Sequence, residues 1–237
     1  MIQAIRSGVF FVVMIVLTAV FATLVILSYP FPPRIGYGFA KTYAHWIMAS
    51  LRFICNLRYV IEGQEHIPDQ PSVVYLRHES MWETVVELTI FPRQCWVFKK
   101  ELLWVPFFGW GIQILSPIAI DRSAGRSALR QVVKQGKEKL EEGVWVMIFP
   151  EGTRMAPDQR RRYGLSGAVL AVESDCAIVP VAHNAGDYWP KRGFIKKPGT
   201  IRLVIGKPIK SQGRTAEEVN EQAKAWIDDT VSKLRSG

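Results

Sequence analysis

His78 and Glu83 lie five positions apart, and a helix that starts just after the histidine would bring the carboxylate near the imidazole. Such a pair can do general-base chemistry. Imidazole takes the proton of a hydroxyl as its oxygen attacks, and a carboxylate on the other ring nitrogen fixes the tautomer and stabilises the imidazolium. Further along, Phe149-Pro150-Glu151-Gly152-Thr153-Arg154 follows an apolar run. Pro150 and Gly152 favour a tight turn with exposed backbone N–H groups. Glu151 can hydrogen-bond an acceptor hydroxyl, Arg154 can hold a phosphate bidentately, and Gly152 and Thr153 complete the candidate binding turn.

Each feature also has a purely structural reading. Ser80-x-x-Glu83 ahead of Val85, Val86 and Leu88 is a capping box, in which Glu83 bonds back to the Ser80 backbone. Cap and dyad do not exclude each other. The hexapeptide could equally be a strand-ending turn with a surface Glu–Arg pair worth little energetically. Lys100 is a candidate phosphate ligand or an ordinary surface lysine, and Arg160-Arg161-Arg162 either meets head groups or is a solvated charge run. His45 in the amphipathic helix, His66 in a polar turn and His183, which ends a strand without an acid at matching spacing, read as structural. Glu79, adjacent to His78, is expected to point elsewhere.

The elements that must position these groups begin at residue 57. Short apolar runs at 58–62, 72–76, 95–98, 118–120, 144–149, 177–182 and 200–205 predict strands, and 81–90, 126–142, 164–173 and 216–234 predict helices. Strands separated by helices indicate an α/β sheet with helical cover. His78 then stands at the carboxyl end of a strand, where open α/β sheets place their ligands. The chain divides into an N-terminal two-helix membrane anchor at 1–56 and an α/β domain at 57–237.

Residues 8–27 form an uncharged apolar run long enough to cross a bilayer core of ~30 Å. It is longer than a signal-peptide core and lacks a small-x-small cleavage site, so it reads as a retained anchor, spanning or re-entrant. Residues 36–56 form an amphipathic helix with Phe39, Tyr43, Trp46, Ile47 and Ile54 roughly on one face, lying either on a membrane or against a core. The formal net charge is +9 with 49% hydrophobic residues. That combination fits an anionic membrane surface or anionic substrates, and without a nucleic-acid motif it argues against nucleic acid. Cys55, Cys95 and Cys176 show no CxxC spacing, and no zinc-ligand pattern or other metal site is expected.

The histidine–acid pair with the hexapeptide resembles the signature of the glycerolipid acyltransferases, the family that includes 1-acylglycerol-3-phosphate acyltransferase. The family's usual pattern is H-x-x-x-x-D, and here the acid is Glu83. Gly109-Trp110-Gly111 with Ile120-Asp121-Arg122 is similar to its second block, and Ile178-Val179-Pro180-Val181 to its fourth. Lys99-Lys100-Glu101-Leu102 is similar to the stretch that links the first two blocks. The resemblance covers roughly residues 57–210. It implies a membrane-bound O-acyltransferase that moves a fatty acyl group from acyl-CoA or acyl-carrier protein to 1-acylglycerol-3-phosphate. It further implies His78 as base, Arg122 as a phosphate ligand and the cytoplasmic face of a bacterial inner membrane. No cofactor beyond the acyl donor is implied. Another lysolipid acceptor, a thioesterase using the same base, and a non-catalytic lipid-binding protein are the alternatives.

Overall fold

A computed structural model describes residues 1–105, 108–121 and 125–236. Among them seven strands form one sheet: β1 (Leu57–Glu62), β2 (Val73–Leu76), β3 (Gln94–Lys99), β4 (Ile118–Ile120), β5 (Trp145–Ile148), β6 (Ile178–His183) and β7 (Gly199–Ile205). Their spatial order is β1-β7-β6-β2-β5-β3-β4. All neighbours are parallel except β6 and β7. The five strands from β6 to β4 therefore share one direction, and their carboxyl ends line a single edge.

The central strands β2 and β5 are buried throughout, as strands covered on both faces must be. Alternation divides their side chains between two cores. Val74, Leu76 and Met147 face one, with Trp82 and Val86 of α3 (Trp82–Ile90) and with α2 (Pro33–Cys55). Val73, Tyr75, Val146 and Ile148 face the other, with α5 (Arg126–Glu141), α6 (Ser166–Glu173) and α8 (Ala216–Ser236). The last of these starts at a reciprocal capping box, Thr215 Oγ1 accepting from the Glu218 N–H and Glu218 Oε2 from the Thr215 N–H.

The expected strands and long helices form within a few residues of their predicted bounds. Two short helices were not expected, α4 (Phe108–Ile114) and α7 (Ala185–Tyr188). At one or two turns they are too short for a helical period to be read.

Ahead of the sheet, α1 (Ile2–Leu27) and α2 form an antiparallel hairpin. Gln3 Nε2 reaches the Cys55 carbonyl at 3.2 Å, and Thr18 Oγ1 meets Tyr43 Oη at 3.0 Å. α1 is long and apolar enough to cross a membrane, with a mean hydropathy of 3.0 in its most apolar window, and little of it is buried. The face that α2 buries overlaps the expected one: Ile47 is buried and Tyr43 and Ile54 pack against the core, but Trp46 does not. Ala40, Ala44, Ile47, Met48, Leu51 and Cys55 turn inward, while Trp46 and Phe53 are exposed. Small residues let the helix approach α1 and the core closely, so they win the interior over the larger aromatics.

Candidate active site

β2 ends at Leu76, and the chain passes through Arg77 and His78 before α3 begins. His78 Nδ1 is 2.9 Å from Glu83 Oε1. The same oxygen accepts the backbone N–H groups of Glu79 at 2.8 Å and Ser80 at 2.7 Å. Ser80 Oγ accepts the Trp82 N–H at 3.1 Å rather than the Glu83 N–H, so the carboxylate half of the expected capping box forms and the hydroxyl caps one residue earlier. One carboxylate oxygen is thus helix cap and imidazole partner together. The extra methylene of glutamate lets the side chain fold back over the first turn far enough to reach all three donors.

Glu83 is fully buried. Burial alone would raise its pKa. The hydrogen bond from His78, the nearby His183 and His78 rings and the Ser80 amide outweigh it and hold the carboxylate below its usual range. Nδ1–H of His78 therefore donates to a carboxylate, and the base lone pair sits on Nε2, which has no partner among the described residues. The imidazole is 15% exposed and stacks on Phe149, centroids 4.1 Å apart.

Phe149 opens the 149–154 turn, which leaves β5, the neighbour of β2. The turn closes with Gly152 N–H on the Phe149 carbonyl at 2.9 Å, with Gly152 at φ 70°, where a side chain would be strained. The Met155 N–H donates to the His78 carbonyl at 2.7 Å and ties the turn to the histidine loop.

Within the turn the two charged residues separate. Glu151 is 4% exposed and points inward, where Arg77 is a charged neighbour and the Tyr163 hydroxyl stands close but outside hydrogen-bond geometry. Burial pushes the Glu151 carboxyl up to about 7, against the opposing pull of its backbone contact and Arg77. Arg154 is partly exposed and makes no ion pair with Glu151 among the described residues. The surface Glu–Arg pair considered from sequence does not form. Thr153 lies 3.5 Å (Oγ1) from Lys191 Nζ.

Lys100 follows the end of β3 and pairs with Asp121 at the end of β4, both partly exposed. Arg122, the other predicted phosphate ligand, lies outside the described residues. Arg160 is held by Asp228 at 3.2 Å and Ser232 at 3.0 Å, whereas Arg161 and Arg162 are exposed. Among the described residues no group of three or more His, Cys, Asp or Glu is placed to hold a metal.

The profile of the family described as "Acyltransferase" matches residues 58–184, a span that runs from β1 past His78, the 149–154 turn and β6. The chain belongs to the acyltransferase family. It is 41% identical to the 1-acyl-sn-glycerol-3-phosphate acyltransferase of Pseudomonas aeruginosa, over 98% of this chain and 93% of that one. It is 29% identical to the enzyme of the same name from Saccharomyces cerevisiae, over 81% of this chain and 66% of that one. The fold is similar to the crystal structure of the 1-acyl-sn-glycerophosphate acyltransferase from Thermotoga maritima, with a TM-score of 0.81 and 22% identity, covering 98% of this chain and 96% of that one.

Around the dyad, this acyltransferase carries a buried charge network that spacing gave no means to foresee. Arg77 Nε bonds Glu79 Oε1, and Arg77 Nη2 bonds the Gln159 carbonyl at 2.9 Å. Arg235, near the end of α8, reaches Glu79 Oε2 at 2.7 Å, Asp187 at 3.1 Å and the Pro157 carbonyl at 2.6 Å. The residues on both sides of His78 are thereby clamped by an element more than 150 positions away in sequence. Glu79 does point elsewhere, as adjacency suggested.

His183 Nδ1 accepts the Ala185 N–H at 3.1 Å, so its Nε2–H donates to the Arg77 carbonyl at 2.7 Å. That makes it a brace beneath the loop. Lys191 is the other residue sequence reasoning missed. Its only signal was a basic stretch, Lys191-Arg192 and Lys196-Lys197, without a motif.

Proposed function

We propose that this acyltransferase transfers a fatty acyl group from acyl-CoA or acyl-carrier protein to 1-acylglycerol-3-phosphate, giving phosphatidic acid, with His78 as general base. The observation that carries the reading is the His78–Glu83 hydrogen bond, which leaves Nε2 available beside a turn that presents Arg154. Nε2 takes the acceptor's hydroxyl proton as that oxygen attacks the thioester carbonyl. The tetrahedral adduct collapses, the carbon–sulfur bond breaks, and the imidazolium returns its proton to the departing thiolate. Glu83 keeps its charge throughout and stabilises the imidazolium. No activated serine or cysteine stands at the site among the described residues, so transfer is direct, within a ternary complex.

The phosphate falls to Arg154, whose planar fork suits two phosphate oxygens. Lys100, at the end of β3, and Arg122, two positions after β4 in the sequence, are proposed to add charge there. Glu151, buried, supports the turn from beneath, and Gly152 and Thr153 shape its surface. The α1–α2 hairpin is proposed to hold the enzyme on the cytoplasmic face of a membrane. Gln3 and Ser7 of α1 bond the α7–β7 segment at one end, and Gly36, near Ser28, lies against Ile114 of α4 at the other. Both ends of α1 thus stay with the α/β body, which supports a re-entrant hairpin rather than a single span.

The deciding experiment incubates purified protein with labelled acyl-CoA and a panel of lysolipids, beside folded His78→Ala. Diacyl product restricted to the phosphomonoester acceptor, and lost in the variant, is expected. Release of free fatty acid would point to a thioesterase. Transfer that survives His78→Ala would overturn the mechanism.

A further inference from the structure

The segment between α7 and β7 is pinned at one end to α1. Trp189 packs edge-on against Phe10 at 5.5 Å, and the Lys196 N–H donates to Ser7 Oγ at 2.9 Å. The Lys196 ammonium is enclosed, 4.9–5.6 Å from the rings of Trp189, Phe194 and Phe10 and 2.8 Å from the Phe194 carbonyl. That cation is committed to the fold, and cation–π contact with burial accounts for it.

Lys191, in the same segment, differs. Its Nζ crosses to the 149–154 turn, donating to the Arg154 carbonyl at 2.8 Å and lying 3.5 Å from Thr153 Oγ1. It is exposed and has no carboxylate partner among the described residues; nor has Arg154. The turn's own acid, Glu151, is buried and directed inward. One turn therefore carries two cationic residues, neither with a carboxylate partner among the described residues, while its own acid is turned inward, an arrangement that suits an anionic ligand. An ammonium has three donors, and the turn uses at most two.

We propose that Lys191 is a specificity-determining residue that reads the acceptor's anionic head group, its remaining N–H taking a phosphate oxygen beside the Arg154 fork. The proposal rests on the acceptor reading above. Because the lysine is carried on a backbone fixed to α1, its position is set before the acceptor arrives, and less order has to be imposed on binding.

The test measures initial rates for the full chain against the concentration of 1-acylglycerol-3-phosphate and, separately, of the acyl donor. Lys191→Gln removes the charge but keeps a donor for the Arg154 carbonyl; Lys191→Arg keeps the charge. We expect Lys191→Gln to raise KM for 1-acylglycerol-3-phosphate about tenfold, the scale of one charge-assisted hydrogen bond, with kcat within about twofold and donor KM unchanged. Lys191→Arg should restore KM to within about threefold. A wild-type KM in Lys191→Gln would overturn the proposal and leave the lysine as a cap on the turn. So would a loss in kcat at saturating 1-acylglycerol-3-phosphate with KM unchanged. Failure of the acceptor reading shows separately, as wild-type enzyme that does not acylate 1-acylglycerol-3-phosphate.

Discussion

Glu83 gathers two functions onto one oxygen, and they can be separated. In Glu83→Gln the amide oxygen can still accept the Glu79 and Ser80 N–H groups, so the α3 cap persists, but the imidazolium loses its counter-charge. We expect kcat to fall on the order of 10²-fold or more with a melting shift of only a few degrees, read by single-turnover rates beside thermal denaturation. Normal turnover would leave Glu83 as a cap alone. One helical turn on, Glu87 tests the cost of a buried acid. Burial holds its pKa well above the ordinary 4.5, against the hydrogen bond from Trp96 Nε1, with the Glu83 charge adding to the rise. The folded state therefore keeps a proton that the unfolded chain gives up near pH 4.5, and stability falls as pH rises above that value. Glu87→Gln removes this dependence. Its urea midpoint should exceed wild type at pH 8 and converge with it at pH 5; equal midpoints at pH 8 would refute the argument. The dyad was legible because five-residue spacing across a helix start is local. The Phe149 stack and Lys191 were not, since both depend on which strand lies beside which.

The site is an assembly of strand ends. β2 delivers His78, β5 the 149–154 turn, and β3 and β4 the Lys100–Asp121 pair. Parallel pairing makes their carboxyl ends coincide, and the alternation of short apolar runs with helices made the strands readable. α4 and α7 left no period to read. The expected α2 stripe splits: Ile47, with Tyr43 and Ile54 beside it, packs inward, while Trp46 stays exposed because the closest packing runs through Ala40 and Ala44. α8 was predicted as a helix, yet nothing in its sequence shows that Arg235 ends beside Glu79. That contact is testable as a positioning device. Arg235→Ala leaves a buried carboxylate with one guanidinium partner instead of two. We expect a loss of roughly 2 kcal/mol, below the range for breaking a fully buried pair because Arg235 is partly exposed. The loop carrying His78 should also loosen, so kcat should fall about tenfold with acceptor KM unchanged, and Arg235→Lys should recover part of it. A melting shift without any change in kcat would make the clamp structural only.

Viewed whole, the molecule leaves an apolar flank along α1. Phe194 and Ile195 lie at its start, beside Phe11 of α1. Val9, Val12, Val16 and Val20 continue it along the helix, and α4 with the Lys100–Trp104 turn ends it at exposed Trp104. Water does not reward so many large apolar side chains on one side, and bilayer hydrocarbon does. Trp104 at the far end suits the interface, where an indole can bury its ring and keep its N–H wet. The net charge of +9 would favour an anionic leaflet. Val12 and Val16 are 60% and 55% exposed, so glutamate at both positions removes little packing and the fold should persist. Inside hydrocarbon, each carboxylate is opposed by about 2.5–3.5 kcal/mol. We therefore expect Val12→Glu/Val16→Glu to keep its far-UV spectrum and its rate on acceptor dispersed in detergent, while losing co-flotation with anionic vesicles. Undiminished flotation would mean that this flank does not meet the membrane. Activity lost in detergent as well as on vesicles would mean instead that α1 acts through its contacts with the α7–β7 segment and the site.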